Sequence, residues 1–294
     1  MQAIHPLTII DGGMGQELLD RDPRGRTGLW SAKALLQAPE LVEQVHSDYI
    51  ASGAQVIITN TYSTVPSYLS KEGLADCFLE LADQAGRIAR RVADAAPHRV
   101  VVAGSIPPLD ESYRADLAPP AEEAKPIYRE LAGALDPHVD LFVCETMSSV
   151  QEACNATSVA REVGGPDKPV WVSWTLAEEA GTGLRSNETV AEAFAAVQEY
   201  QPDSYLFNCT SPEAISVGLQ ELSAMTDKPL GAYPNRLIIP AGWTLDGDIK
   251  ASMRDMTTEE FLGFCAQWRE LGASMIGGCC GIGPQMIAAL RDAA

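Results

Sequence analysis

The chain has 294 residues, 46% of them hydrophobic, and a formal net charge of −19. That length and apolar content suit one α/β barrel or two smaller domains, while the charge repels phosphate backbones and anionic lipid, which sets aside nucleic-acid and membrane-surface roles. No apolar run is long enough to span a bilayer, residues 1–6 do not read as a secretory leader, and seven scattered cysteines fit a reducing cytoplasm better than a disulfide scaffold.

Taken in order, Leu7-Thr8-Ile9-Ile10 is a short β-branched run ending in the tight turn Asp11-Gly12-Gly13. Helical spacing follows, and Pro39 opens a further helix through Leu41, Val42, Val45 and Tyr49. Gln55 to Asn60 is the second strand, Lys71 to Ala96 one long alanine-rich helix, and Arg99 to Ser105 the third strand. Pro107 to Pro120 is a proline-rich loop, followed by a helix through Ile127 and Leu131. Asp140 to Thr146 is the fourth strand; Val150 to Val163 is helical and stops at Gly164-Gly165-Pro166.

Pro169 to Trp174 is the fifth strand, Glu178 to Asn187 a glycine-punctuated loop, and Thr189 to Tyr200 a helix. The sixth strand ends at Cys209; Ser211-Pro212 then opens a helix with a serine cap and a first-turn proline. Pro229 to Tyr233 is the seventh strand, and Leu237 to Asp255 a long loop of little periodicity. Thr257-Thr258-Glu259-Glu260 caps the next helix, the eighth strand ends at Cys279-Cys280, and Pro284 starts the closing helix. Eight apolar strands, each followed by a helical pattern with no linker between, argue for a single (β/α)8 TIM-type barrel. A doubly wound open sheet is the alternative, disfavoured by the missing Gly-x-Gly-x-x-Gly fingerprint.

Catalytic groups of such a barrel sit where strands end. Here those ends carry Asp11, Asn60, Ser105, Glu145, Trp174, Cys209, Asn235, Cys279 and Cys280. Three thiolates hold a zinc ion and leave a fourth position open, as catalytic rather than structural zinc requires. Adjacent residues of a regular strand face opposite ways, so Cys279 and Cys280 share a metal only if the backbone turns, which Gly277, Gly278 and Gly281 permit. The competing reading is buried free thiols or a vicinal disulfide. Cys77, Cys144, Cys154 and Cys265 read as packing, and none of His5, His46, His98 and His138 is assigned to the metal.

Asp11-Gly12-Gly13-Met14-Gly15, Asn208-Cys209-Thr210, Tyr233-Pro234-Asn235 and Gly277-Gly278-Cys279-Cys280-Gly281 together resemble the zinc-dependent homocysteine S-methyltransferase family, from Ile9 to the last helix and in the family's order. The resemblance implies one homocysteine-binding-type barrel domain over residues 1–294, with Zn2+ on Cys209, Cys279 and Cys280. It also implies methyl transfer from a small donor, S-methylmethionine or S-adenosylmethionine, to the thiolate of homocysteine. By the same resemblance Asp11 and Glu145 receive the substrate ammonium. On physical grounds, backbone N–H groups of Gly12, Gly13 and Met14 could form a nest for its carboxylate, and Asn235 reads as pocket lining or a brace of the cysteine turns, against local turn chemistry.

Asn60 and Asn208 read as pocket lining or braces, and Tyr62, Trp174 and Tyr233 as walls for a cationic donor, against local turn chemistry and core packing. Two departures stand out. Thr146 occupies the place of a tyrosine of the betaine branch, and 236–255 lacks the serine/glycine-rich continuation of many S-methylmethionine enzymes. The alternatives are a zinc-binding or thiol-redox barrel without methyl transfer, and a subunit served by a separate corrinoid or folate protein or using another thiol. The sequence admits a homo-oligomer.

Overall fold

The structure, a computed structural model, describes residues 6–22, 30–240, 242–244, 249 and 251–294, with only the backbone of Trp30. In chain order its first half runs β1 (Thr8–Ile9), α1 (Met14–Arg21), α2 (Trp30–Gln37), α3 (Pro39–Ala51), β2 (Val56–Ile58), α4 (Pro66–Ser70), α5 (Phe78–Asp94), β3 (Val101–Ile106), α6 (Ala121–Leu135) and β4 (Leu141–Met147). Then come α7 (Val150–Gly164), β5 (Val170–Trp174), α8 (Val190–Val197), β6 (Ser204–Asn208), α9 (Pro212–Leu222), β7 (Leu230–Tyr233), β8 (Leu237–Ile238), β9 (Ser252–Met253), α10 (Thr258–Glu270), β10 (Ala273–Ile276) and α11 (Pro284–Ala293).

Eight strands form one parallel sheet in the order β1-β10-β7-β6-β5-β4-β3-β2. Its two ends meet. Ile10 bridges Val56 in parallel, Asp11 N–H donates to the Val56 carbonyl at 2.9 Å, and Gln55 N–H donates to the Ile9 carbonyl at 2.8 Å. The ring is a (β/α)8 barrel, and the open-sheet alternative is excluded by these bonds.

The period of two along a strand sorts side chains into two cores. Ile10, Val56, Ala103, Leu141, Val143, Trp171, Leu206, Tyr233 and Met275 fill the barrel interior. Their neighbours Ile9, Ile57, Val102, Phe142, Cys144, Val172, Phe207, Ala232 and Ile276 pack outward against the helices. The helices start as their sequences dictate. Ser211 accepts from Ala214 N–H behind Pro212, and Thr189 with Glu192 and Thr257 with Glu260 form reciprocal caps.

Four expectations need correction. The helix expected over 71–96 is broken: α4 ends at Ser70, Gly73 takes φ +69°, and α5 begins only at Phe78 after a 3-10 turn. Glycine alone takes that conformation without strain. The loop 237–255 carries a short antiparallel pair, β8 with β9. The sixth strand stops at Asn208, because Cys209 turns into the left-handed region at φ +51°. The eighth stops at Ile276, where Gly277 and Gly278 leave the sheet, so both cysteines of the pair lie in the turn. No helix among the described residues is long and apolar enough to cross a membrane.

Candidate active site and metal centre

The alternation that fills the barrel also builds its floor. Two residues beyond Val143, Ala103, Trp171 and Leu206 come Glu145, Ser105, Ser173 and Asn208, which therefore point inward at the C-terminal ends of their strands. Tyr233 of β7 joins them. This layer is bonded to itself. Ser105 Oγ donates to Glu145 Oε1 at 2.5 Å, Tyr233 Oη donates to Glu145 Oε2 at 3.4 Å, and Ser173 Oγ donates to Asn208 Oδ1 at 2.7 Å.

Above the layer the three cysteines converge. The sulfurs of Cys209, Cys279 and Cys280 lie within 4.8 Å of one another, and no other such group occurs among the described residues. Cys209 and Cys279 are joined as a disulfide, with Cα atoms 5.7 Å apart. The backbone fixes this convergence. Cys209 N–H donates to the Tyr233 carbonyl at 3.2 Å, Cys279 N–H to Pro234 at 2.7 Å, and Gly278 N–H to Asp11 at 2.9 Å. Arg236 N–H donates to the Cys280 carbonyl at 2.8 Å. The chain ends after β1, β6, β7 and β10 thus form one knot. Gly281 closes the turn at φ +81°, and a Cβ on Gly13 would stand 2.6 Å from the Cys279 carbonyl oxygen.

The donor set fits a metal. A tetrahedral centre with sulfur at about 2.3 Å sets its sulfurs roughly 3.8 Å apart, inside the observed spread once the thiols are reduced. Burial, with the nearby Glu145 adding to it, pushes the Cys280 thiol up to about 11, so a cation is what would hold it as thiolate near neutrality. Of the histidines, His46 is buried in α3 and His138 pairs with Asp83 at 2.7 Å on the outside, while His5 lies outside the described residues.

A cavity of about 320 Å³ opens on the cysteines and is walled by Asp11, Gly12, Gly13, Met14, Glu145 and Tyr233, among others. Asp11 and Glu145 are 3% and 6% exposed, so both carboxyls are sealed from bulk water. Burial raises Glu145 to about 7, against the lowering pull of Ser105 and Tyr233. Burial and then the nearby Glu145 raise Asp11, although Ile58 N–H donates to Asp11 Oδ2 at 2.9 Å. Two buried carboxyls that oppose each other's charge make a place for a cation.

Some expected residues are placed otherwise. The N–H of Gly13 already donates to the Ile282 carbonyl at 3.1 Å, so the nest reduces to Gly12 and Met14. Trp174 is not a wall: it follows the inward Ser173, points outward, and stacks on Tyr205 at 6.0 Å between sheet and helices. Asn235 is fully buried, but it does not line the cavity; its side chain lies behind the wall, against Tyr113. Asn60 lines the cavity and also donates to the Ser31 carbonyl at 2.8 Å. Tyr62 is a wall, as expected, joined by Tyr68, Tyr113 and Trp243, which the sequence reading missed. Only the aromatic content of 113 and 243, in segments read as loops, could have flagged the last two.

The chain matches the homocysteine S-methyltransferase family over residues 8–294. It is 30% identical to the homocysteine S-methyltransferase of Escherichia coli (strain K12) over 307 residues, covering 97% of this chain and 94% of that one. The homocysteine S-methyltransferase YbgG of Bacillus subtilis (strain 168) is 29% identical over 304 residues, covering 96% and 93%. Among solved structures, the metallated form of the Escherichia coli homocysteine methyltransferase MmuM superposes with a TM-score of 0.82 at 29% identity, covering 99% of this chain and 97% of that one. The oxidised form of the same protein also scores 0.82. A match along nearly the entire sequence, over a barrel whose strand ends bring three cysteines together, shows that this chain belongs to the homocysteine S-methyltransferase family.

Proposed function

We propose that the protein transfers a methyl group from a small cationic donor, S-methylmethionine or S-adenosylmethionine, to the thiol of homocysteine, giving methionine. The observation that carries this reading is the meeting of Cys209, Cys279 and Cys280 beside two buried carboxyls in one cavity. Reduced, the three cysteines would hold Zn2+ and leave one position toward the cavity. Zinc, when bound, supplies a Lewis-acidic site that keeps the acceptor thiol ionised near neutrality.

The chain's own groups do the rest. Asp11 and Glu145 take the acceptor's ammonium, which relieves the repulsion between them. Gly12 and Met14 N–H groups, at the start of α1, take its carboxylate. Tyr62, Tyr68 and Tyr113 exclude water and present ring faces to the donor's positive sulfur. The acceptor sulfur's lone pair forms the new S–CH3 bond as the donor's C–S bond breaks. That bond's electron pair stays on the donor sulfur, which leaves as a neutral thioether. The acceptor's thiol proton is released to solvent as it binds. Holding the two sulfurs in line with the methyl carbon supplies much of the rate.

The cysteines must be reduced for this chemistry, which fits a cytoplasmic setting. The Cys209–Cys279 disulfide favours a second reading, a zinc-binding or thiol-redox barrel without methyl transfer. One experiment separates them. The protein is reduced, loaded with zinc and given homocysteine with each donor, and methionine is measured by mass spectrometry alongside zinc per chain. Methionine formation with about one zinc supports the first reading; one zinc and no methyl transfer from any donor supports the second.

A further inference from the structure

The thiol cavity has a neighbour. Tyr113 and Trp243 line both it and a second, more open cavity of about 710 Å³, whose walls include Glu178 and Arg185. The two shared rings meet edge to face at 5.7 Å. The Arg185 guanidinium lies over the Tyr113 ring at 5.0 Å, and its Nη2 donates to Glu178 Oε1 at 3.0 Å. The Arg185 side chain is only 11% exposed, and its buried Nε has no hydrogen-bond partner among the described residues.

The loop that carries this pair is fastened to the cysteine end of β6. Thr210 Oγ1 donates to the Leu176 carbonyl at 3.0 Å, and Ser211 Oγ to the Glu178 carbonyl at 3.4 Å. Thr210 and Ser211 directly follow Cys209. The charged pair is therefore held in fixed relation to the sulfurs.

In-line displacement puts the leaving atom opposite the attacking sulfur. With the acceptor seated on the cysteine side, the rest of the donor points away from it, and the cavity that shares Tyr113 and Trp243 with the thiol cavity is the neighbouring space for it. There a guanidinium and a carboxylate stand side by side. A neutral tail would meet neither, and a plain carboxylate would use only the arginine. An α-amino-acid end carries both complementary charges, and the five donors of a guanidinium suffice for Glu178 and an added carboxylate together.

We propose that the second cavity holds the α-amino-acid tail of the methyl donor, Arg185 taking its α-carboxylate and Glu178 its α-ammonium. This rests on the methyl-transfer reading and adds the residues that select the donor.

The test uses zinc-loaded wild type, Arg185→Gln and Glu178→Gln with homocysteine and three probes. These are S-methyl-L-methionine, its des-amino analogue 4-(dimethylsulfonio)butanoate, and trimethylsulfonium, which has no tail. Binding of S-methyl-L-methionine is measured separately by calorimetry. Arg185→Gln should lower the ratio of kcat/KM for S-methyl-L-methionine to that for trimethylsulfonium by about tenfold or more, through the donor KM, because a charge-assisted bond is lost. Glu178→Gln should narrow the preference for S-methyl-L-methionine over the des-amino analogue by about tenfold.

Ratios within about twofold of wild type in both variants, with methyl transfer intact, overturn the tail site and leave the methyl-transfer reading standing. A wild type that methylates homocysteine from none of these probes and not from S-adenosylmethionine sinks the methyl-transfer reading instead. Calorimetry then still decides the site: binding about tenfold weaker in either variant supports it, and equal binding overturns it.

Discussion

Asn208 and Thr146 are joined twice: Thr146 N–H donates to Asn208 Oδ1 at 2.8 Å, and Asn208 Nδ2 donates to Thr146 Oγ1 at 2.8 Å. The link spans the ends of β4 and β6, and Ser173 of β5 adds its hydroxyl at 2.7 Å. Thr146 follows Glu145 at φ +60°, and Cys209 follows Asn208 at φ +51°. A β-branched residue in the left-handed region costs on the order of 1–3 kcal/mol and persists only where its surroundings hold it. One amide thus sets the backbone beside a carboxyl of the site and beside one of its sulfurs. Asn208→Ala should cost about 3 kcal/mol, since three buried hydrogen bonds go and their partners are stranded. Thermal melting should fall by roughly 5–10 °C, and zinc should pass to a competing chelator at lower concentration. Unchanged melting and unchanged zinc retention would show that the link positions nothing.

Cys209→Ala and Cys280→Ala should each abolish both zinc binding and methyl transfer. Each removes one of three sulfurs, and among the described residues no other metal-ligating group joins the cluster. Full zinc content in both variants, measured by atomic absorption after reduction, would refute the assignment. The variants should still fold, because Cys209 is anchored through its backbone N–H to Tyr233 and through its carbonyl to Thr175 Oγ1 at 3.1 Å.

Glu145→Gln should raise the KM for homocysteine about 10- to 100-fold, the worth of a charge-assisted hydrogen bond of about 1.5–3 kcal/mol. Zinc content should stay near wild type, because the carboxyl bonds Ser105 and Tyr233 and no cysteine. Steady-state kinetics beside metal analysis checks this. Loss of zinc in the variant would give the carboxylate a different role.

Much of this site is legible in the sequence. Eight apolar runs with helical patterns between them gave the barrel, and the polar residues at their ends gave Asp11, Glu145 and the three cysteines. Parity along the strands carried more than was read from it. Ser173 and Trp174 are adjacent, so only one of them faces the barrel interior; counting from Trp171 would have placed Trp174 outside. The same count marks Ser105, Ser173 and Asn208 as the polar floor. Tyr113, Arg185 and Trp243 were hidden for another reason. They sit on connections after β3, β5 and β7, where no period governs side-chain direction and only the closed barrel brings them together. The Gly13 N–H was misjudged because its partner, the Ile282 carbonyl, lies at the far end of the chain.

His46 makes the stability of the fold depend on acid. Its side chain is fully buried in α3 beside Val42, Val45, Tyr49 and Ile50 of the same buried face, and neither ring nitrogen has a hydrogen-bond partner among the described residues. Burial lowers its pKa from 6.5 to about 4. Between those values the unfolded chain binds a proton that the folded chain refuses, so stability falls as pH drops from about 6.5 toward 4, by up to about 3 kcal/mol. Above pH 7 both states carry neutral imidazole and this dependence vanishes. His46→Leu should flatten the profile over that window. It should also gain about 1 kcal/mol at pH 7.5, because two buried polar atoms without partners are replaced by an apolar group of similar size. Urea melts of both proteins at pH 7.5, 6 and 5 measure this directly. The stability difference must widen toward pH 5, and parallel profiles would mean that the imidazole finds a partner in the folded state or that its site admits water.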